Sequence, residues 1–306
     1  MKRHIFYWIF YLFSIIVIFL FCFKFNNQIN ACKVAILSKL QEQQERPLSD
    51  FQDYPVFTHT GKEWYQDNRL IYHAGGGIDG LSYTNSLEAL KCTVSKERFY
   101  IEIDFSYTAD HKLVCIHSWD EPWGDPESEE APLFDEYING KIYGKYTTLS
   151  AADLIDFMKT HPALHIIVDT KEPDFLEVIE DLTDTASRDP EILNRLIIQL
   201  YTAGMKSKVQ KIYPFPDENI LFTAYMFGTE RTGSILELCY KENISVVTTK
   251  ENSWDDETVQ FFRSKGIIIF EHTINRSDLA RQALSRGIHG IYTDFLSPED
   301  LRTDPL

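Results

Sequence analysis

Eight short runs of apolar and β-branched residues recur along the chain, and amphipathic segments separate most of them. They cover residues 70–73, 100–105, 165–170, 196–201, 220–224, 245–249, 267–272 and 290–294. Strands that alternate with helices must run parallel, and eight such units close into a (β/α)8 TIM barrel. A doubly wound open sheet is the other arrangement the alternation allows. Helix signals sit where this reading needs them. Leu87, Leu90 and Val94 share one face of residues 85–98, and Ser150 and Asp153 have the spacing of a capping box. Gly287 closes the helix expected over residues 275–286.

A ninth run, residues 113–117, lies too close to Phe105 for a parallel crossover. A tight turn at Asp110 and His111 makes the two runs an antiparallel hairpin instead. A two-residue turn centred there pairs Asp104 with His117. Residues 119–148, rich in Pro, Gly and acids, then form an insertion on the same side.

The N-terminal part reads differently. Residues 5–23 are uncharged and mostly apolar. At about 1.5 Å per residue they span roughly 28 Å as a helix, close to a bilayer core. No small-residue cleavage site follows, so the sequence predicts a single-pass membrane protein with an uncleaved signal-anchor helix over residues 1–24. The short N-terminal tail fits a body held outside the cytoplasm. Residues 25–68 read as a polar stalk and 69–306 as the barrel.

Chemistry concentrates at the strand ends. Glu102 and Asp104 are two apart on one strand and point to one face. Asp169 and Lys171 repeat that spacing at the end of the next barrel strand. His73 closes the first strand, ahead of Gly75-Gly76-Gly77. Barrel enzymes draw their catalytic groups from these C-terminal strand ends. Three converging carboxylates repel one another unless they hold a cation, and oxygen ligands favour Mg²⁺ or Ca²⁺ over zinc. With Lys171 they sum to −2, and a divalent ion brings the sum to zero. The net charge of −16, without any basic run, excludes a nucleic-acid binder.

The motifs Ile71-Tyr72-His73-Ala74-Gly75, Thr84-Asn85-Ser86-Leu87-Glu88-Ala89, Ile101-Glu102-Ile103-Asp104, Thr108-Ala109-Asp110 and Val114-Cys115-Ile116-His117 resemble the glycerophosphodiester phosphodiesterase family in order and spacing. Thr273-Ile274-Asn275 and the segment from Gly287 to Asp294 resemble its closing motifs. The resemblance implies a metal-dependent phosphoric diester hydrolase. It implies His73 and His117 as the acid/base pair, and Glu102, Asp104 and Asp169 as ligands of Mg²⁺ or Ca²⁺. Lys171, Asn85 and His272 would contact substrate, a lipid-headgroup or envelope-derived phosphodiester. The family's arginine after the first histidine is Ala74 here, and His272 stands where a tryptophan is usual. Asp169-Thr170-Lys171 and the missing arginine are more similar to sphingomyelinase D. A non-catalytic barrel that binds an envelope glycan or headgroup is the alternative.

Overall fold

The computed structural model describes residues 45–119, 130–170, 172–173, 175–224 and 231–302. Eight parallel strands alternate with helices and close on themselves. They are β1 (Leu70–Tyr72), β2 (Tyr100–Tyr107), β6 (His165–Thr170), β7 (Leu196–Leu200), β8 (Ile220–Thr223), β9 (Val246–Lys250), β10 (Ile268–His272) and β11 (Gly290–Thr293). Each pairs with the next, and β1 pairs with both β2 and β11, so the sheet has no free edge among the parallel strands. The closed barrel excludes the doubly wound open sheet.

These strands formed apolar runs because their two faces are both covered. Ile101, Ile103, Ile166, Val168, Leu196 and Ile198 pack outward under the helices. Ile71, Ile167, Ile197, Leu221, Val246 and Phe270 point inward and fill the lower half of the barrel. The helix Ala151–Thr160 starts at the expected capping box of Ser150 and Asp153. The helix Ser277–Arg286 ends at Gly287, whose φ of 111° is left-handed.

β3 (Leu113–Cys115) pairs antiparallel with β2, as the short connection required. Its register is one residue away from the expected one: Phe105 faces Cys115 and Tyr107 faces Leu113. His111 adopts φ 59°, and the Thr108 amide donates to the Lys112 carbonyl at 3.0 Å. The loop is therefore three residues closed by a left-handed one, rather than a two-residue turn. The main-chain carbonyl of Asp104 consequently accepts from the Ile116 amide at 3.0 Å. Beyond β3, the helix Phe134–Asn139 and a small hairpin of β4 (Lys141–Ile142) and β5 (Tyr146–Thr147) occupy the insertion. That hairpin is tied to the loop after β1 and to the helix Leu87–Val94 that follows it: Tyr146 donates to Asp79 at 2.8 Å, and the Thr147 amide donates to Glu88 at 2.7 Å.

Two expectations are corrected. The first is the stalk over residues 25–68. Its described C-terminal part packs onto the barrel. Phe51 is wholly buried, and Tyr54 and Phe57 meet the Tyr240 ring at 4.8 and 5.1 Å. Trp64 and Tyr65 join the interior cluster, and Trp64 donates to the Glu218 carbonyl at 2.7 Å. The polar stretch at residues 41–46 hid the aromatic residues that follow it. The second is the single-pass membrane protein. Among the described residues no helix is long and apolar enough to cross a membrane. Helices such as Phe175–Thr185 have 11 residues, about 16 Å, and bury one face only. Residues 5–23, on which the membrane reading stood, lie outside the described residues.

Candidate active site

The inward side chains change character along the barrel axis. Above the apolar lower half come Glu102, Asp104, Asp169, Gln199, Thr223 and Thr248, all buried. Alternation on the strand explains the pairing: Ile101 and Ile103 face the helices, so Glu102 and Asp104 face in. Register brings the third carboxylate alongside, because Asp104 and Asp169 are direct neighbours across β2 and β6. The three carboxylates each turn an oxygen into a set that lies within 4.8 Å of one another. Buried anions so close carry a large mutual repulsion, and all-oxygen ligands of this kind suit a hard divalent cation. The residues present therefore fit a Mg²⁺ or Ca²⁺ ion.

Each carboxylate is held from behind. The Ala74 amide donates to Glu102 at 2.7 Å. Asn85 grips Asp104 twice: its side-chain amide donates to the carboxylate at 2.9 Å, and its oxygen accepts the Asp104 amide at 3.0 Å. Asn85 is fully buried. The structure thus moves it from the substrate contact expected in sequence to a support of Asp104. Tyr201 donates to Asp169 Oδ1.

His73 and His117 line the same cavity as Glu102, Asp169 and His272, a space of about 130 Å³. His73 Nδ1 lies 2.9 Å from Asp294, which leaves Nε2 toward the cavity, 4.0 Å from Glu102. Burial alone would lower the pKa of His73. The charge of Glu102, the hydrogen bond to Asp294 and the charge of Asp104 outweigh it and raise the pKa to about 9. Asp294 is itself fixed by Asn275, which donates to its carboxylate at 2.5 Å and accepts its amide at 2.8 Å. Lys171 lies outside the described residues.

Five residues of this site escaped the sequence reading. Asp294 and Asn275 orient His73 from the far end of the chain, and only their place in the closing motifs hinted at it. Tyr83, at φ 58°, stands edge-on to both histidines, with ring centroids 4.5 Å from His73 and 4.8 Å from His117. Gln199 and Tyr292 also line the cavity.

No family model matches the chain. It is 20% identical to the glycerophosphodiester phosphodiesterase of Bacillus subtilis (strain 168) over 274 residues, 81% of this chain and 91% of that protein. The chain resembles the glycerophosphodiester phosphodiesterase family. Solved structures give the same fold. An Oleispira antarctica phosphodiesterase, in complex with the product sn-glycerol-3-phosphate, matches with a TM-score of 0.58 at 15% identity, covering 76% of this chain and 95% of that one. A glycerophosphodiester phosphodiesterase from Thermotoga maritima matches with a TM-score of 0.51 at 22% identity, covering 74% and 93%. Against the glycerophosphodiester phosphodiesterase pattern, Ala74 is the sharpest departure. It is fully buried at φ 49°, with its amide on Glu102.

Proposed function

We propose that this chain is a phosphoric diester hydrolase that cleaves glycerophosphodiesters, or lipid-headgroup diesters of the same chemistry, with a divalent cation. The observation that carries the reading is a cluster of three carboxylates, two of which, Glu102 and Asp169, share one small cavity with His73 and His117. The likeness to the Bacillus subtilis enzyme supports the same chemistry, and the Oleispira antarctica complex suggests sn-glycerol-3-phosphate as the product.

Glu102, Asp104 and Asp169 would hold the cation, which supplies positive charge to the phosphoryl oxygens and offsets the charge that builds up on them. The cavity suits a phosphoryl group more than a large ligand, since drug-sized pockets are commonly some 300–1,000 Å³. His73 and His117 divide the proton transfers. One accepts the proton of the attacking hydroxyl, from water or from a neighbouring hydroxyl of the substrate, as the new O–P bond forms. The other gives a proton to the departing alkoxide as the old P–O bond breaks. Asp294 fixes the ring of His73 for this exchange. Lys171 and His272 would contact the substrate.

The test is an assay of the purified full chain after chelation. Substrates are glycerophosphocholine, glycerophosphoethanolamine and a choline-headgroup lipid diester, each with Mg²⁺, with Ca²⁺ and with neither. Cation-dependent release of sn-glycerol-3-phosphate from the two glycerophosphodiesters, or of choline from the lipid diester, is the expected result. Cation binding with no turnover of any diester would replace this reading with the binding barrel.

A further inference from the structure

Asp169 is anchored unlike its two partners. Glu102 accepts a main-chain amide and Asp104 a carboxamide. Asp169 instead accepts from a phenol, Tyr201, just past the end of β7. Behind Tyr201 runs a continuous line of hydrogen bonds across the barrel. The Tyr292 hydroxyl, on β11, donates to Gln199 Oε1 at 3.0 Å. Gln199 Nε2 donates to the Tyr201 hydroxyl at 2.6 Å. Gln199 and Tyr292 are 5% and 3% exposed, so little water competes for these bonds.

The direction of this line is fixed by donor and acceptor count. A carboxamide has one acceptor end and one donor end, and a phenol has one proton. With the oxygen of Gln199 bound by Tyr292, its nitrogen faces Tyr201. The Tyr201 oxygen is then an acceptor, and its single proton goes to Asp169. A neutral donor to a carboxylate forms a charge-assisted bond. It holds one carboxylate oxygen and sets the direction of the other.

We infer that Tyr201 is the positioning residue for the third carboxylate, and that Gln199 and Tyr292 hold it to that task. Strands β7 and β11 thereby set how tightly a site on β2 and β6 binds its cation. This rests on the proposed cation site. Groups that orient metal ligands commonly change affinity by 10–100-fold when removed.

The experiment titrates the full chain with Mg²⁺ and with Ca²⁺ by calorimetry. Tyr201→Phe should weaken binding by about tenfold or more. Tyr292→Phe should act in the same direction by a smaller factor. Saturating cation should restore most of the lost kcat in Tyr201→Phe, which a general loss of structure would not allow. If wild type binds the cation and Tyr201→Phe binds it equally well, this inference falls while the cation site stands. If wild type binds neither ion, the cation site falls and this inference with it. Should Tyr201→Phe not fold, Gln199→Leu and Tyr292→Phe decide the matter, and unchanged affinity in both overturns the assignment.

Discussion

The two halves of the barrel interior are built for opposite ends. The lower half is a layer of Ile71, Ile167, Ile197, Leu221, Val246 and Phe270, sealed beneath by Trp64 and Tyr65. Trp64 stacks on Phe270 at 5.5 Å. The upper half, one or two residues further along the same strands, holds three carboxylates and two histidines around a cavity. Moving up one strand by two residues, from Ile167 to Asp169, passes from dry packing to buried charge. The lower layer supplies the stability that the upper layer spends on proximity of like charges.

The contrast can be tested by substitutions in each half. The largest effect is expected below. Phe270→Ala should cost about 3–5 kcal/mol of folding free energy, through lost burial and a cavity, with kcat nearly unchanged well below the melting temperature. Denaturant titration and an assay on the same sample measure both. Above, His117→Ala should lower kcat by on the order of 10²-fold and leave cation affinity and Tm almost unmoved. Loss of cation binding in this variant would show that His117 belongs to the ligand set.

The next effect is smaller and depends on pH. The folded-state pKa of His73 is raised, to about 9 against an ordinary 6.5. Its contribution to stability is therefore full below pH 6.5 and is lost as pH rises through about 9. Chelated protein should lose on the order of 2 kcal/mol across that window. The same scan on His73→Gln should be flatter; an identical slope would locate the effect elsewhere. Smallest of all, above about pH 9, where His73 is neutral, Glu102→Gln should leave the chelated protein equally stable or raise it by about 1 kcal/mol, since it removes one of three facing charges. A clear drop in the Tm of the chelated protein would mean that the Ala74 amide bond to Glu102 outweighs the repulsion.

The lower half was easier to read in sequence than the upper. Strands buried on both faces leave apolar runs, and all eight were visible within a residue or two. The pair Glu102 and Asp104 was visible because strand periodicity is local. Asp169 was reachable because it ends the neighbouring run. What failed was what depends on distant partners. Nothing near Asp294 says that it will meet His73, 221 residues away. Tyr201, Gln199 and Tyr292 read as ordinary strand residues until the barrel closes. Asn85 was placed on the substrate because its burial behind Asp104 is a tertiary fact. The hairpin slipped by one residue because the left-handed backbone of His111 leaves no sign in a non-glycine residue.

The aromatic seal under the barrel also bears on traffic through it. Trp64 and Tyr65, at 8% and 1% exposure, stop the lower end, so among the described residues the packed lower half closes the barrel beneath the cavity. A substrate of the proposed reaction would then enter, and its product leave, on the side away from this seal. If the proposed function holds, a product that lingers there would compete directly with the next diester, and turnover would track the rate at which the vessel empties.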